Sequence, residues 1–171
     1  MILRVDSLYF QYDISLRLVR WQWHGSMDLL KFQRAFEGLA DFSRQHHISK
    51  WLADTSDMPL VGFEEQVWLG EQWLPQFARL GVYKIGLVLP LKQHNALVVE
   101  HLMFDEQHYM PSSVQFFSDA AAALDWLTDS APGIAALEQE WQANYGSDLE
   151  KPDQALLSPW PPEPVPLSSA G

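Results

Sequence analysis

Two carboxylates, Asp54 and Asp57, flank Thr55-Ser56 directly after the short apolar run Lys50-Trp51-Leu52-Ala53. At the carboxyl end of a central strand, where open α/β sheets receive ligands, such a pair can hold magnesium. The plainer use of the same residues is a turn, with Asp54 ending the strand and Asp57 shaping the loop through its side-chain oxygen. No phosphate-binding glycine loop accompanies them, so the turn is the expected role and metal-dependent catalysis the weaker alternative. His94, His101 and His108 recur every seven residues. On one helix, successive members would stand about 10 Å apart along the axis, too far for a single metal with ligands near 2 Å. Only His101, Asp105 and His108 can converge, and no metal site is expected. His46-His47 are placed to end a helix, where imidazolium suits the dipole.

Nucleophilic chemistry has less support. The chain has no cysteine, which excludes a thiolate nucleophile, a thiolate zinc site and a disulfide scaffold. It also lacks a Gly-x-Ser-x-Gly elbow, a Gly-x-x-x-x-Gly-Lys phosphate loop and a dinucleotide fingerprint, so no cofactor is expected.

The charge balance narrows the partners. The 171 residues carry 11 basic and 22 acidic groups, a net of −11. A phosphate backbone would be repelled, and nucleic acid is not an expected partner. Residues 1–50 hold 7 basic and 5 acidic groups (+2) and residues 51–171 hold 4 and 17 (−13), a polarity that suits an oriented contact or unequal solvated faces. The apolar content is rich in rings: 8 Trp, 9 Phe and 5 Tyr. Trp68 and Trp73 are five apart and on a regular helix project in different directions. One is expected to face the sheet while the other sits nearer an edge or a dimer contact. The alternative is an aromatic-lined pocket or groove for an apolar ligand. Asp54, Thr55, Ser56, Asp57, Trp68 and Trp73 are therefore the candidate interaction or ligand surface.

The elements that must position these residues follow from periodicity. Residues 7–23 read as a β-hairpin with Asp13 near the turn and alternation continuing from Ile14 through Trp21 and Trp23. Gly25-Ser26 stops the strand, and Ser26 can cap a helix whose stripe is Leu29, Phe32, Phe36 and Leu39, ending near His46. Lys50–Asp54 reads as a buried strand. The loop Thr55–Gly62 leads to a helix with Glu64 and Glu65 in its first turn and Phe63, Val67, Leu74 and Phe77 facing inward. Pro75 should kink or divide this helix, and Gly81 should stop it. Tyr83–Leu89 is the clearest internal strand, closed by Pro90. A segment containing Asn95–His108 includes a helix, and Val114–Phe117 is a further strand. Ser118 can cap an Ala-rich helix over 119–129, broken by Pro132-Gly133. Ile134, Leu137, Trp141 and Tyr145 fit one face of a last helix. On this placement Trp51, Phe63, Phe77, Phe116, Trp126 and Trp141 are core residues.

From Glu150 onward the composition changes, with 6 of the 11 prolines. Residues 149–171 read as a Pro-rich tail, disordered or loosely docked, after a domain over 1–148. Its Pro159-x-x-Pro162 and Pro161-x-x-Pro164 lack the neighbouring basic residue that orients a proline-recognition ligand. Charges within Met1–Asp6 break any secretory signal, and no run reaches the ~18 apolar residues of a membrane span, so a cytoplasmic location is expected. The order ββαβαβαβα plus a C-terminal helix predicts an α/β fold.

Several stretches resemble a bacterial family of small STAS-like (SpoIIAA-like, STAS/SEC14) domains. They are Trp51-Leu52-Ala53-Asp54, Met58, Glu64-Glu65, Trp68 and Glu71-Gln72-Trp73-Leu74-Pro75, then Lys84-Ile85-Gly86-Leu87-Val88-Leu89-Pro90. Phe116-Phe117-Ser118-Asp119, Ala123-Leu124-Asp125-Trp126-Leu127 and an early Trp23-x-Gly25 complete the match, which spans residues 7–130. The resemblance implies a mixed four- or five-stranded sheet opened by a β-hairpin, with helices mainly on one face. Related domains bind protein partners, and those of the lipid-carrier branch hold hydrophobic ligands. Anti-sigma antagonists of the family are phosphorylated on a serine at the start of the helix after the central strand. Here that place is Val61-Gly62-Phe63, with no hydroxyl, and Thr55 and Ser56 come several residues too early. Phosphorylation-driven partner switching is therefore not expected. The resemblance points first to a non-enzymatic regulatory or protein-interaction module, with a homodimer among its partners. The alternative is a carrier or sensor of a small hydrophobic ligand.

Overall fold

A computed structural model describes residues 1–105, 107–111 and 113–148; the tail expected over 149–171 and the side chain of Tyr145 lie outside the described residues. The sheet has six strands in sequential order: β1 (Ile2–Val5), β2 (Leu8–Asp13), β3 (Leu18–Trp23), β4 (Lys50–Asp54), β5 (Lys84–Val88) and β6 (Ser113–Phe117). The first three run antiparallel, and β3 to β6 are parallel. The chain is thus α/β with a mixed sheet, one or two strands wider than expected because residues 2–5 pair with β2. The expected hairpin is β2–β3. Ile14 and Leu16 belong to its turn and not to a strand: Asp13 accepts hydrogen bonds from Leu16 N and Ser15 Oγ, which ends the alternation there.

Three crossovers join the parallel strands: α1 (Leu29–Gln45), a broken helix over residues 63–77, and α4 (Gln93–Asp105). Because the strand order never reverses, right-handed crossovers place all three on one face. The sheet is apolar on both sides, however. Trp51, Ala53, Ile85 and Leu87 face the crossover helices, while Leu18, Leu52 and Val88 face away. That second face is covered by α5 (Ala120–Thr128) and α6 (Ile134–Asp148), so helices lie on both faces and not mainly on one. On α6, Glu138 meets buried Arg20 of β3 at 2.6 Å, and the Arg20 guanidinium stacks over Trp141. Gln11 of β2 donates to Leu137 O and to the Glu140 carboxylate. α5 presses on Gly86, where an added Cβ would lie 3.2 Å from Leu127 and 3.3 Å from Ala123.

Two caps differ from the sequence reading by one or two residues. Asp28, not Ser26, accepts Lys31 N at α1, and Asp119, not Ser118, accepts Ala122 N at α5. Both aspartates have extended backbone directly before the first helical residue, the geometry an N-cap requires. His46 closes α1 as expected.

The helix over 63–77 holds the largest departure. It comprises α2 (Phe63–Trp68), a π-helical turn (Leu69–Trp73) and α3 (Leu74–Phe77) with Pro75 at its start. Residues five apart on an α-helix point about 140° from each other. A π turn bonds i to i+5 and brings such residues nearly into line. It aligns Trp68 with Trp73 and Leu69 with Leu74, and all four are buried with Phe77. Neither tryptophan is left at an edge: each is 5% exposed. Of the inward stripe expected through Phe63, Val67, Leu74 and Phe77, the last two are buried, whereas Val67 is only partly buried and Phe63, at the helix start, is 80% exposed. Phe116 is also not core. It lies on β6, the outer strand of the sheet, and is 46% exposed because only β5 flanks it.

Candidate functional site

The residues after β4 are assembled as a turn. Asp54 is buried, and its Oδ1 accepts from Ser56 N at 3.2 Å and Ser56 Oγ at 2.6 Å. Thr55 Oγ1 donates to Val88 O at 2.6 Å, tying the loop to β5. Exposed Asp57 accepts from Gln22 Nε2 at 3.2 Å. The two carboxylates are thus bound to different partners. A sheet whose parallel strands never reverse order also lacks the divergent crossovers that open a ligand crevice at strand ends. His101 pairs with Asp105 at 2.7 Å, while His108 lies against Tyr109 and His94 Nε2 contacts Val61 O. Among the described residues, no group of three His, Asp or Glu side chains is placed to hold a metal.

Of the six candidates, the structure brings Thr55 and Trp73 to one feature: a cavity of about 130 Å³ between the sheet and the crossover helices. Its origin is a size mismatch in the sheet. Trp21, Ala53 and Leu87 stand side by side on β3, β4 and β5, so a methyl group occupies the place between two large side chains. Above this gap arch Phe36 of α1, Trp73 of the π turn and Phe77 of α3. The rings interlock: Trp21 meets Phe36 at 81° and Phe36 meets Trp73 at 80°, both with centroids 5.3 Å apart. Edge-to-face packing of this kind holds the walls in fixed orientation. The π turn matters here, since without it Trp73 would point away.

α4 closes the remaining side, carrying Val98, Leu102 and Met103 to the cavity. Its anchor is Asn95, which is buried. Asn95 Oδ1 accepts from Val61 N, and Nδ2 donates to Met58 O and Pro59 O at 3.0 and 2.8 Å. These bonds pin the start of α4 to the loop over residues 58–61, whereas Leu102 and Met103 further along are only partly buried. Met58, Met103 and Met110, three of the five methionines, line this wall. Thioether chains are unbranched and adapt to irregular contents.

Among the described residues, no charged side chain lines the cavity. Three indoles do. Trp51 Nε1 donates to Ser43 Oγ at 3.1 Å and Trp73 Nε1 to Phe36 O at 3.2 Å. Trp21 Nε1 is buried and donates to no group among the described residues. A buried donor left unpaired costs about 1–3 kcal/mol. Trp23 Nε1 is likewise unpaired among these residues but lies outside the cavity lining.

Trp21, Ala53, Asn95, Met103 and Met110 were not singled out by sequence reasoning. Asn95 had a signal: it is the polar member of an otherwise apolar spacing with Val98, Val99 and Leu102. Trp68 packs edge-on to Phe32 and borders a shallow groove with Leu29, Phe63 and Val67 on the outer side of α1 and α2. Comparison with protein-family models, with curated proteins and with solved structures finds no match for this chain. No helix among the described residues is long and apolar enough to cross a membrane.

Proposed function

We propose that the protein is a non-enzymatic STAS-like module that carries or senses a small hydrophobic ligand in the cavity beneath α4. The observation that carries this reading is the cavity itself: about 130 Å³, uncharged, walled by interlocked rings and floored by an alanine. An engineered cavity of about 150 Å³ with apolar walls binds benzene, so this one suits a single ring or a short aliphatic chain. The mixed sheet, with its β2–β3 hairpin and parallel β3–β6, agrees with the α/β class that a STAS-like reading expects. The test is titration of the purified protein with methylenecyclohexane, followed by thermal unfolding and by amide spectra. Saturable stabilisation, with shifts confined to residues around Ala53, Trp73 and Met103, is expected. Stabilisation absent up to the solubility limit would reject ligand carriage.

A second reading, protein interaction, is favoured by Leu97 and Phe104. They are seven apart on α4, on its solvent side, and both are exposed. α4 would then report the state of the cavity to a partner or a second copy of the chain. Sedimentation of wild type and of Leu97→Ser/Phe104→Ser, with and without methylenecyclohexane, tests self-association through this face.

A further inference from the structure

We propose that the open edge of β6 is a self-pairing surface: two copies of the chain join their β6 strands antiparallel about a two-fold axis, fusing two six-stranded sheets into one of twelve. The inference does not depend on the cavity, and it uses a surface other than the Leu97–Phe104 side of α4.

A sheet edge presents unpaired backbone N–H and C=O groups, and proteins guard such edges with charges, prolines or bulges. The edges here are β1 and β6. β1 carries Arg4, whereas β6 (Ser113-Val114-Gln115-Phe116-Phe117) has no charge and no proline, and it pairs residue for residue with β5, without a bulge. It lies within residues 107–118, the longest run of the chain without Asp, Glu, Lys or Arg. Two chains of net charge −11 repel each other, so a second copy is best received where the contact itself is uncharged. Backbone orientation fixes the register. Phe117 O accepts from Leu89 N, so Phe117 and Gln115 turn their backbone groups toward β5. Alternation along the strand turns those of Val114 and Phe116 outward, and among the described residues neither has a hydrogen-bond partner on that side. A two-fold pair centred on Gln115 sets Val114 opposite the partner's Phe116, where the two exchange backbone hydrogen bonds, and Gln115 opposite the partner's Gln115. Every residue of β6 is then paired. Val114 and Phe116 share one face of the sheet with Ile85 and Leu87. The contact therefore also covers Phe116, 46% exposed in the single chain, with a β-branched side chain, a favourable cross-strand pair.

The chain has no cysteine, so a single Gln115→Cys reads the register directly. Opposed residues of a non-hydrogen-bonded antiparallel pair have Cα atoms about 4.5 Å apart, within the span of a disulfide. Oxidised glutathione should convert Gln115→Cys to a covalent dimer, while Leu30→Cys, on the exposed side of α1, stays monomeric. Sedimentation equilibrium at about 100 μM should find wild type mostly at twice the chain mass, as a Kd of ~10 μM or tighter requires. Phe116→Lys puts a guarding charge on the edge and should weaken the dimer by at least about tenfold, with circular dichroism unchanged. Phe116→Pro is the second variant: it removes an N–H that faces solvent, keeps the ladder to β5 and blocks the partner strand. Leu97→Ser/Phe104→Ser should remain dimeric. A wild type that sediments as a monomer, its edge left to a strand of another protein, overturns the inference. So does a dimer that survives both Phe116 variants or is lost in Leu97→Ser/Phe104→Ser, or a Gln115→Cys that cross-links no more than Leu30→Cys. None of these outcomes bears on ligand carriage, which the methylenecyclohexane titration decides separately.

Discussion

Replacing Ala53 by isoleucine should stabilise the protein, and the sign of the change is what matters. Ala53 is buried on β4 between Trp21 and Leu87 and lies at the floor of the cavity. Isoleucine adds three carbons there, and each buried methylene contributes about 0.8 kcal/mol, or roughly 2.4 in all. Ordering the longer side chain takes back about 0.5–1 kcal/mol, leaving a net gain near 1.5. A β-branched side chain also suits a strand. For a domain of this size, roughly 2–4 °C accompanies each kcal/mol, so Tm should rise by about 3–6 °C. In a filled core the same substitution would force rotamers and backbone apart, at a cost of about 1–3 kcal/mol. Urea unfolding at constant slope, together with Tm, measures the difference. A ligand at ten times its Kd stabilises wild type by about 1.4 kcal/mol. Methylenecyclohexane should lose that effect in Ala53→Ile. A variant destabilised by more than about 1 kcal/mol would refute the claim that the space under α4 is open.

Three other perturbations probe the elements around the cavity. Deleting exposed Glu71 from the π turn leaves Trp68 and Trp73 four apart, so regular α-helix keeps both inward and Tm should change little. Inserting an alanine after Glu71 instead turns Trp73 and Phe77 by about 100°. At about 1.5–3 kcal/mol for each side chain exposed, that insertion should remove most of the stability. Near-ultraviolet circular dichroism distinguishes the two, and equal damage from both would contradict the alignment of Trp68 with Trp73 by the π turn. Asn95→Ala leaves Val61 N, Met58 O and Pro59 O unpaired, and a loss of about 2–4 kcal/mol is expected. Hydrogen exchange in that variant should quicken first along α4, with β4 and β5 still protected. Finally, the hydrogen bond from Gln11 holds the Glu140 carboxyl below its ordinary value of 4.5, against the opposing effect of burial. A lowered folded-state value contributes stability that is full above 4.5 and is lost as pH falls through the depressed value. Acidification should therefore loosen α6 from β2, while Glu140→Gln flattens that part of the pH profile.

Period-based reading located β3 to β6, α1 and the break at Pro75, because each depends on neighbours in sequence. The Asp54 end of that turn was legible for the same reason, since its bonds to Ser56 span two residues, whereas Thr55 and Asp57 reach Val88 and Gln22 on neighbouring strands, more than thirty residues away. What failed were inferences that needed a fixed angle per residue. The π turn brings Trp73 into line with Trp68, so both are buried where a regular helix would have separated them, while Leu74 and Phe77 are buried as their spacing predicts and Phe63, at the helix start, is exposed. The cavity was not legible because no one residue makes it. It arises from Ala53 standing beside Trp21 and Leu87, a registry between strands more than thirty residues apart. The unpaired indole of Trp21 was equally hidden: the sequence shows eight tryptophans alike, and only packing sorts those with an acceptor from those without.

The covering of the sheet's second face by α5 and α6 has a consequence for how the chain is made. During synthesis every strand leaves the ribosome before either helix does. Until then Leu18, Leu52 and Val88 form a bare apolar face, and Arg20 awaits both Glu138 and Trp141. A nascent chain that has emerged only as far as Phe117 would hold a complete ladder with one greasy side. Such partly folded species aggregate through exposed apolar surface and unpaired strand edges. The period between translating β6 and docking α6 is therefore when this protein most needs a chaperone.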